Sequence, residues 1–237
     1  MEPIRVLHNI VLMDAGGIET LVMNLYRHID KEQILFDFLV HRPQEGYYEK
    51  EIREYGGKVY RTRPFNPLHM REYEKECMNI LTSHPEYKVF HVHQELGLWT
   101  LDYAHQAGIP TRIAHAHNAK TVVNLKYFFF LYEKMFIKKH CTDMFMCSKP
   151  AGEWLFGKQA VQDGKVKYIN NSIETDRFKY NEQTRRDMRE KLGVGDKIVI
   201  GHVGRFAQPK NHTFILDVFN EIHRMNKRSE ERRVGKE

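Results

Sequence analysis

The sequence predicts an α/β fold in which a parallel sheet is wrapped on both faces by helices. Two observations carry that expectation. Apolar runs of strand length alternate with amphipathic stretches of helical length almost from end to end, the rhythm of successive βαβ units. Several of the strand-length runs are also continuously apolar instead of alternating, as strands covered on both faces require.

In chain order, strands are predicted at residues 4–10, 35–41, 58–60, 89–93, 111–115, 143–148, 166–169 and 197–203. Helices are predicted at 18–29, 47–55, 69–82, 96–106, 122–140, 150–156, 184–192 and 212–225. The first strand, IRVLHNI, starts almost at the first residue. The first helix follows from Ile18, Leu21, Val22, Leu25, Tyr26 and Ile29, which recur at helical spacing on one face. The segment VVNLKYFFFLYEKMFIKKH predicts a helix with a wide apolar face of Leu125, Phe128, Phe129, Tyr132, Phe136 and Ile137. Lys126, Lys134, Lys138 and Lys139 lie beside that face, so the helix either packs on the sheet or rests on an anionic membrane surface. The last strand, KIVIGHV, runs into a glycine, an arginine and a lysine that open the final helix. Such a sheet is Rossmann-like, and its ligand crevice lies at the C-terminal ends of the strands. There is no internal repeat and no long low-complexity tract.

The polar, charged stretch SIETDRFKYNEQTRRDMREKLGVGD marks a boundary between two strand patterns. We therefore expect a first domain at 1–172, a connector at 173–196, and the first βα unit of a second Rossmann-like domain at 197–225. Only 26 residues of the 237 follow Asn211, too few to complete a second domain, so a C-terminally truncated chain is expected. Residues 226–237 are nearly all charged and are expected to be disordered or foreign to the fold.

Bulk properties narrow the function. No run approaches 18 apolar residues, which argues against a membrane span or secretory signal. Three cysteines without CxxC spacing fit structural thiols in a reduced cytoplasmic protein. The net charge of +6 favours anionic partners: nucleotides, polyphosphates or acidic lipid headgroups. Nucleic acid is disfavoured, because no zinc-finger spacing, RNP-like strand or arginine-rich arm occurs.

Three motifs bear chemistry. Gly16 and Gly17 stand between the first strand and the first helix, where bare backbone N–H groups and the helix dipole favour an anion. The motif is neither GxGxxG nor a P-loop, so it reads equally as a diphosphate cradle or as a tight turn needing glycine. His91-Val92-His93 and His115-Ala116-His117 each close a strand, and the period of two puts both members of a pair on one side of the sheet. Such pairs suit hydrogen bonding to a polar substrate such as a sugar, a metal ion, or a purely structural strand cap. No matching carboxylates complete a metal site, so no metal is expected. Arg205 and Lys210 flank the start of the last helix, where they form a clamp for a diphosphate leaving group.

Taken together, GGIET at 16–20, RIAHAHN at 112–118, FMCSKPA at 145–151, NNSIETDRF at 170–178 and VGRFAQPKN at 203–211 resemble the GT-B glycosyltransferases of family 4. The likeness is greatest to bacterial enzymes that build capsular and other surface polysaccharides, and it runs over nearly all of residues 3–225. The resemblance implies an N-terminal acceptor-side GT-B domain and a donor-binding second domain. It implies transfer of a sugar from a nucleotide-sugar, UDP- or GDP-linked, with retention of anomeric configuration and without a cofactor. The acceptor would be a growing cell-surface polysaccharide or a lipid-linked glycan, and the setting cytoplasmic or peripheral at the inner face of the cell membrane. By motif, His117, with His115 as second choice, would contact the donor sugar as the catalytic histidine. Gly16, Gly17, Arg205 and Lys210 would hold the donor phosphates. Asn171-Ser172 stands where the family has Asn-Gly, and the family's paired glutamates would follow Lys210 beyond the end of this chain, so the fragment is expected to be a poor catalyst or none. Two rival readings remain: a non-catalytic glycan- or membrane-docking domain, and a metal-dependent hydrolase using the His-x-His pairs.

Overall fold

A computed structural model describes residues 2–93, 97–119, 125–204, 206 and 210–227. The chain divides into two compact units, Met1–Phe178 and Lys179–Glu237.

The first unit is built on seven parallel strands: β1 (Ile4–Ile10), β2 (Ile34–Val40), β3 (Val59–Arg61), β4 (Val89–Val92), β5 (Thr111–Ala116), β6 (Asp143–Met146) and β7 (Val166–Tyr168). Their spatial order is β3-β2-β1-β4-β5-β6-β7. The chain winds outward in one direction from β1 and in the other from β4. The sheet therefore has its topological switch point between those two strands.

The connecting helices are α1 (Gly17–His28), α2 (Glu49–Glu54), α3 (Met70–Ser83), α4 (Thr100–Gln106), α5 (Leu125–His140), α6 (Lys149–Phe156) and the short α7 (Lys158–Gln162). Right-handed crossovers in opposite directions send them to opposite faces. On one face Val22 and Tyr26 of α1 and Ile52 of α2 pack with Phe36, Phe38 and Val40 of β2. On the other, Tyr73 and Leu81 of α3, Leu101 of α4, Phe130 of α5 and Leu155 of α6 pack with Leu7, Phe90, Val92 and Ala114. The seven strands predicted within the first unit form within two residues of their expected ends. The helix α7 is an addition that the sequence pattern did not predict.

Helix α5 corrects one expectation. Among its described side chains, Phe130, Glu133, Ile137 and His140 are buried, whereas Phe128 and Tyr132 are exposed; Leu125, Phe129 and Phe136 of the expected face lie outside the described side chains. Aromatic residues surround this helix, so hydrophobic period alone selects no face. Glu133 holds the helix in this rotation by accepting a hydrogen bond from the Gly97 N–H at 2.9 Å.

The second unit holds α8 (Glu182–Leu192) and α9 (His212–Met225). Asn181 caps α8 by accepting from Thr184 N–H at 2.8 Å, and Gly193 closes it in the left-handed region at φ 63°. The strand expected at 197–203 does not form: the segment has no ladder partner among the described residues, and Ile198, Ile200 and Val203 are 93%, 77% and 98% exposed. A strand gains its stability from paired neighbours, and an apolar run alone supplies none.

Candidate functional site

The site begins with strand periodicity. In β1, β4 and β5 the even or odd alternation places one set of side chains in the α3–α6 core and the other on the α1 face. The second set includes His8 from β1, His91 and His93 from β4 and its following residue, and His115 and His117 from β5 and its following residue. His8 is registered against His91. The five imidazoles thus form a continuous row across the centre of the sheet, at the switch point.

Their geometry is close. The ring centres of His91 and His93 are 3.9 Å apart, and those of His115 and His117 are 4.0 Å apart. His8 Nδ1 lies 2.9 Å from His93 Nε2, and His93 Nδ1 lies 3.0 Å from His117 Nε2. Three imidazoles are therefore joined in one hydrogen-bonded chain that runs from the sheet interior to the half-buried His117. Both nitrogens of His115, with Nε2 of His8 and of His91, are buried without a hydrogen-bond partner among the described residues.

Burial sets their charge. Desolvation pushes His8 and His115 down to about 3 and His117 down to about 4. His91 and His93 are also driven well below the ordinary histidine value, by desolvation first and by neighbouring imidazoles second. The row is thus uncharged at neutral pH, and each ring offers one N–H and one lone pair. Such groups can donate to and accept from sugar hydroxyls.

A cavity of about 190 Å³ lies against this row, closed on its other side by Leu21, Val22 and Leu25 of α1 and by Ile169 after β7. On the opposite face of the sheet, Asn9 fixes the ends of three elements. Its amide donates to Thr100 Oγ1 at 2.6 Å at the start of α4, and its oxygen accepts from His41 Nε2 after β2. His41 Nδ1 in turn meets Thr62 Oγ1 at 2.6 Å and Tyr73 OH at 3.1 Å.

The glycine turn lies at the C-terminal side of β1, as predicted, with Gly16 as N-cap of α1. Neither Gly16 nor Gly17 adopts a positive φ, so the turn does not demand glycine for backbone reasons. Space above Gly17 is open: an added Cβ would meet no atom within 4 Å. A Cβ on Gly16 would collide with the Glu19 carboxylate, 2.2 Å away. That carboxylate therefore sits over the helix N-terminus, where it complements the dipole and competes with any bound anion.

Of the other expected phosphate contacts, Lys210 belongs to the second unit, where its side chain lies along Gly204. Arg205 lies outside the described residues. Sequence reasoning missed His8, whose part in the row depends on β1 lying beside β4. A lone histidine inside IRVLHNI gives no sign of that until the strand order is known.

Comparison with known proteins follows the same lines. EpsF of Bacillus subtilis strain 168, provisionally named a glycosyltransferase, is 32% identical over 217 residues, covering 90% of this chain and 56% of EpsF. The structure of Anabaena HepE with UDP and glucose superposes with a TM-score of 0.70 at 15% identity, over 92% of this chain and 58% of HepE. HepE with UDP-glucose gives 0.71 at 14% identity, over 92% and 57%. At such identity the likeness shows the fold, and the chain spans a little over half the length of these relatives. The sequence profile of Glycosyltransferase Family 4 matches residues 15–177, a span that takes in the glycine turn and four of the five row histidines. The chain belongs to Glycosyltransferase Family 4.

Proposed function

We propose that this chain carries the acceptor-side domain of a retaining glycosyltransferase that moves a sugar from a UDP- or GDP-linked donor to a growing surface polysaccharide or lipid-linked glycan. The observation that carries the reading is the row of neutral imidazoles ending in half-buried His117 at the switch point of the sheet. HepE, which shares the fold, has been solved with UDP-glucose, and this supports a nucleotide-sugar as donor.

In this reading His117 hydrogen-bonds a hydroxyl of the donor sugar, and His93 holds the His117 ring in place through the 3.0 Å contact between them. His115 is the alternative contact. Gly17 lets the ligand approach the backbone of the α1 turn. Arg205 and Lys210 pair with the diphosphate and stabilise the negative charge that develops as it leaves. Leaving-group stabilisation is the main catalytic task, so no side chain serves as nucleophile and no metal is needed for transfer.

Phe128, Leu131 and Tyr132, exposed along one side of α5 with Lys139 nearby, support peripheral contact with an anionic membrane where a lipid-linked acceptor resides. The described residues contain no helix long and apolar enough to cross a membrane. The hydrolase reading is less well supported, because the close ligand clusters among the described residues contain histidines only.

The test is a calorimetric titration of the purified chain with a panel of UDP- and GDP-sugars. His117→Ala is expected to weaken the best donor about 2- to 10-fold, the worth of one neutral hydrogen bond. A panel without a binder, or a binder indifferent to His117→Ala, overturns the reading.

A further inference from the structure

We propose that His93, His115 and His117 form a binding site for a divalent cation of the zinc class, which competes with the donor sugar for His117. Each of the three offers one ring nitrogen, and these nitrogens all lie within 4.8 Å of one another. A tetrahedral zinc ion with Zn–N bonds of about 2.0–2.1 Å holds its nitrogen ligands roughly 3.3 Å apart. His93 Nδ1 and His117 Nε2, at 3.0 Å, need to separate by only a few tenths of an ångström to admit it. His115 needs a rotation of its ring that brings one nitrogen closer by up to roughly 1.5 Å.

An independent observation points to a ligand here. His115 is 4% exposed, yet neither of its ring nitrogens has a hydrogen-bond partner among the described residues. Leaving two buried polar atoms unpaired is costly, and coordination would satisfy one of them. The supporting hydrogen bond is also present. With Nδ1 on the metal, His93 keeps Nε2–H for His8 Nδ1 at 2.9 Å, the outer contact that metal-bound histidines use to fix their tautomer. His117 is half-buried, so the ion has a path to the site and a face open to a fourth, non-protein ligand.

Three neutral imidazoles without a carboxylate suit zinc, cobalt or copper and suit magnesium and calcium poorly. From the sequence no metal is expected, because no matching carboxylates complete a site at the two histidine pairs. The structure brings them together by placing β4 beside β5, so that one pair supplies a third ligand to the other. The ion acts here as an inhibitor and has no part in transfer. That inhibition rests on His117 as the donor contact, whereas the binding itself does not.

The test uses the untagged chain, titrated first with Co2+ and then with Zn2+. The expected result is the visible absorption of tetrahedral cobalt saturating at one equivalent and abolished by Zn2+. His115→Ala and His117→Gln should each weaken binding more than ~100-fold, and His8→Gln, which removes only the supporting contact, by about 10-fold. His91→Gln should leave it unchanged, and circular dichroism checks the fold of each variant. His117→Gln, at a half-buried position, keeps the test decisive should His115→Ala fail to fold. No cobalt signal, a signal that survives His117→Gln, or one lost instead in a folded His91→Gln overturns the site. Zinc binding without loss of nucleotide-sugar binding leaves the site standing and overturns the competition alone.

Discussion

Asp37 illustrates how single residues hold this fold. Its carboxylate is fully buried, accepts two hydrogen bonds from Arg5 at 2.6 and 2.7 Å, and accepts others from Tyr87 OH and the Lys58 N–H, each at 2.6 Å. Asp37→Ala strands Arg5 beside a cavity, takes the acceptor from the Lys58 N–H and leaves Tyr87 OH only its 3.2 Å contact with Tyr60 OH. A loss of about 3–5 kcal/mol is expected, read from the shift in urea midpoint at constant slope. A loss under about 1 kcal/mol would show that the network contributes little. Gly17 gives the opposite kind of prediction. Because a Cβ there meets nothing within 4 Å, Gly17→Ala should leave the melting temperature within about 2 °C of wild type. If the turn receives a ligand, the same substitution should weaken nucleotide-sugar or acceptor binding, and unchanged binding would make the turn purely structural.

Among elements, α5 shows where pattern reading stops. Its location was legible from length and composition, but its rotation was not, since Phe and Tyr occur on every side. The deciding residue is polar: Glu133 is buried and accepts from Gly97, and desolvation raises its pKa to about 8. A raised pKa means that the native state binds a proton more readily than the unfolded chain. Stability from this group is therefore present below about pH 4.5 and is lost as pH rises toward 8, by about 1.4 kcal/mol per unit at most. Glu133→Gln keeps an acceptor for Gly97 and removes the ionisation. Relative to that variant, wild type should lose stability between pH 5 and 8, and parallel profiles would exclude a buried, protonated carboxyl. The β-strands were read more readily than α5, because continuous apolar runs bounded by polar turns admit few alternatives. The run at 197–203 has the same pattern, but pairing is a property of neighbours and its own residues do not encode it.

At the scale of the whole molecule, the row of imidazoles makes acid the principal threat to the fold. His8, His41 and His115 are held near 3 and His117 near 4, and His91 and His93 lie well below their ordinary value. Unfolded, each takes up a proton near pH 6.5. The unfolded state then binds more protons than the native state, and stability falls as pH drops from about 6.5 toward 4. Each imidazole contributes at most about 1.4 kcal/mol per unit. This outweighs the opposing group at Glu133, so the urea midpoint should fall steeply between pH 6.5 and 5. A flat midpoint would mean that the histidines are solvated. The two His-x-His pairs, with both members of each pair on one side of the sheet, were legible from the sequence by period alone. Their union into one row with His8 was not, because it depends on the order β1-β4-β5, which is a property of the assembled sheet.

The most direct test of the central claim is nitrogen NMR of the histidine rings in selectively labelled chain, recorded from pH 7 to 5 with and without a UDP-sugar. The account predicts neutral single tautomers for His8, His93 and His117 across that range, and a change at the His117 ring nitrogens when the nucleotide-sugar is added. Rings that titrate near pH 6.5 and do not respond to any UDP- or GDP-sugar would contradict it.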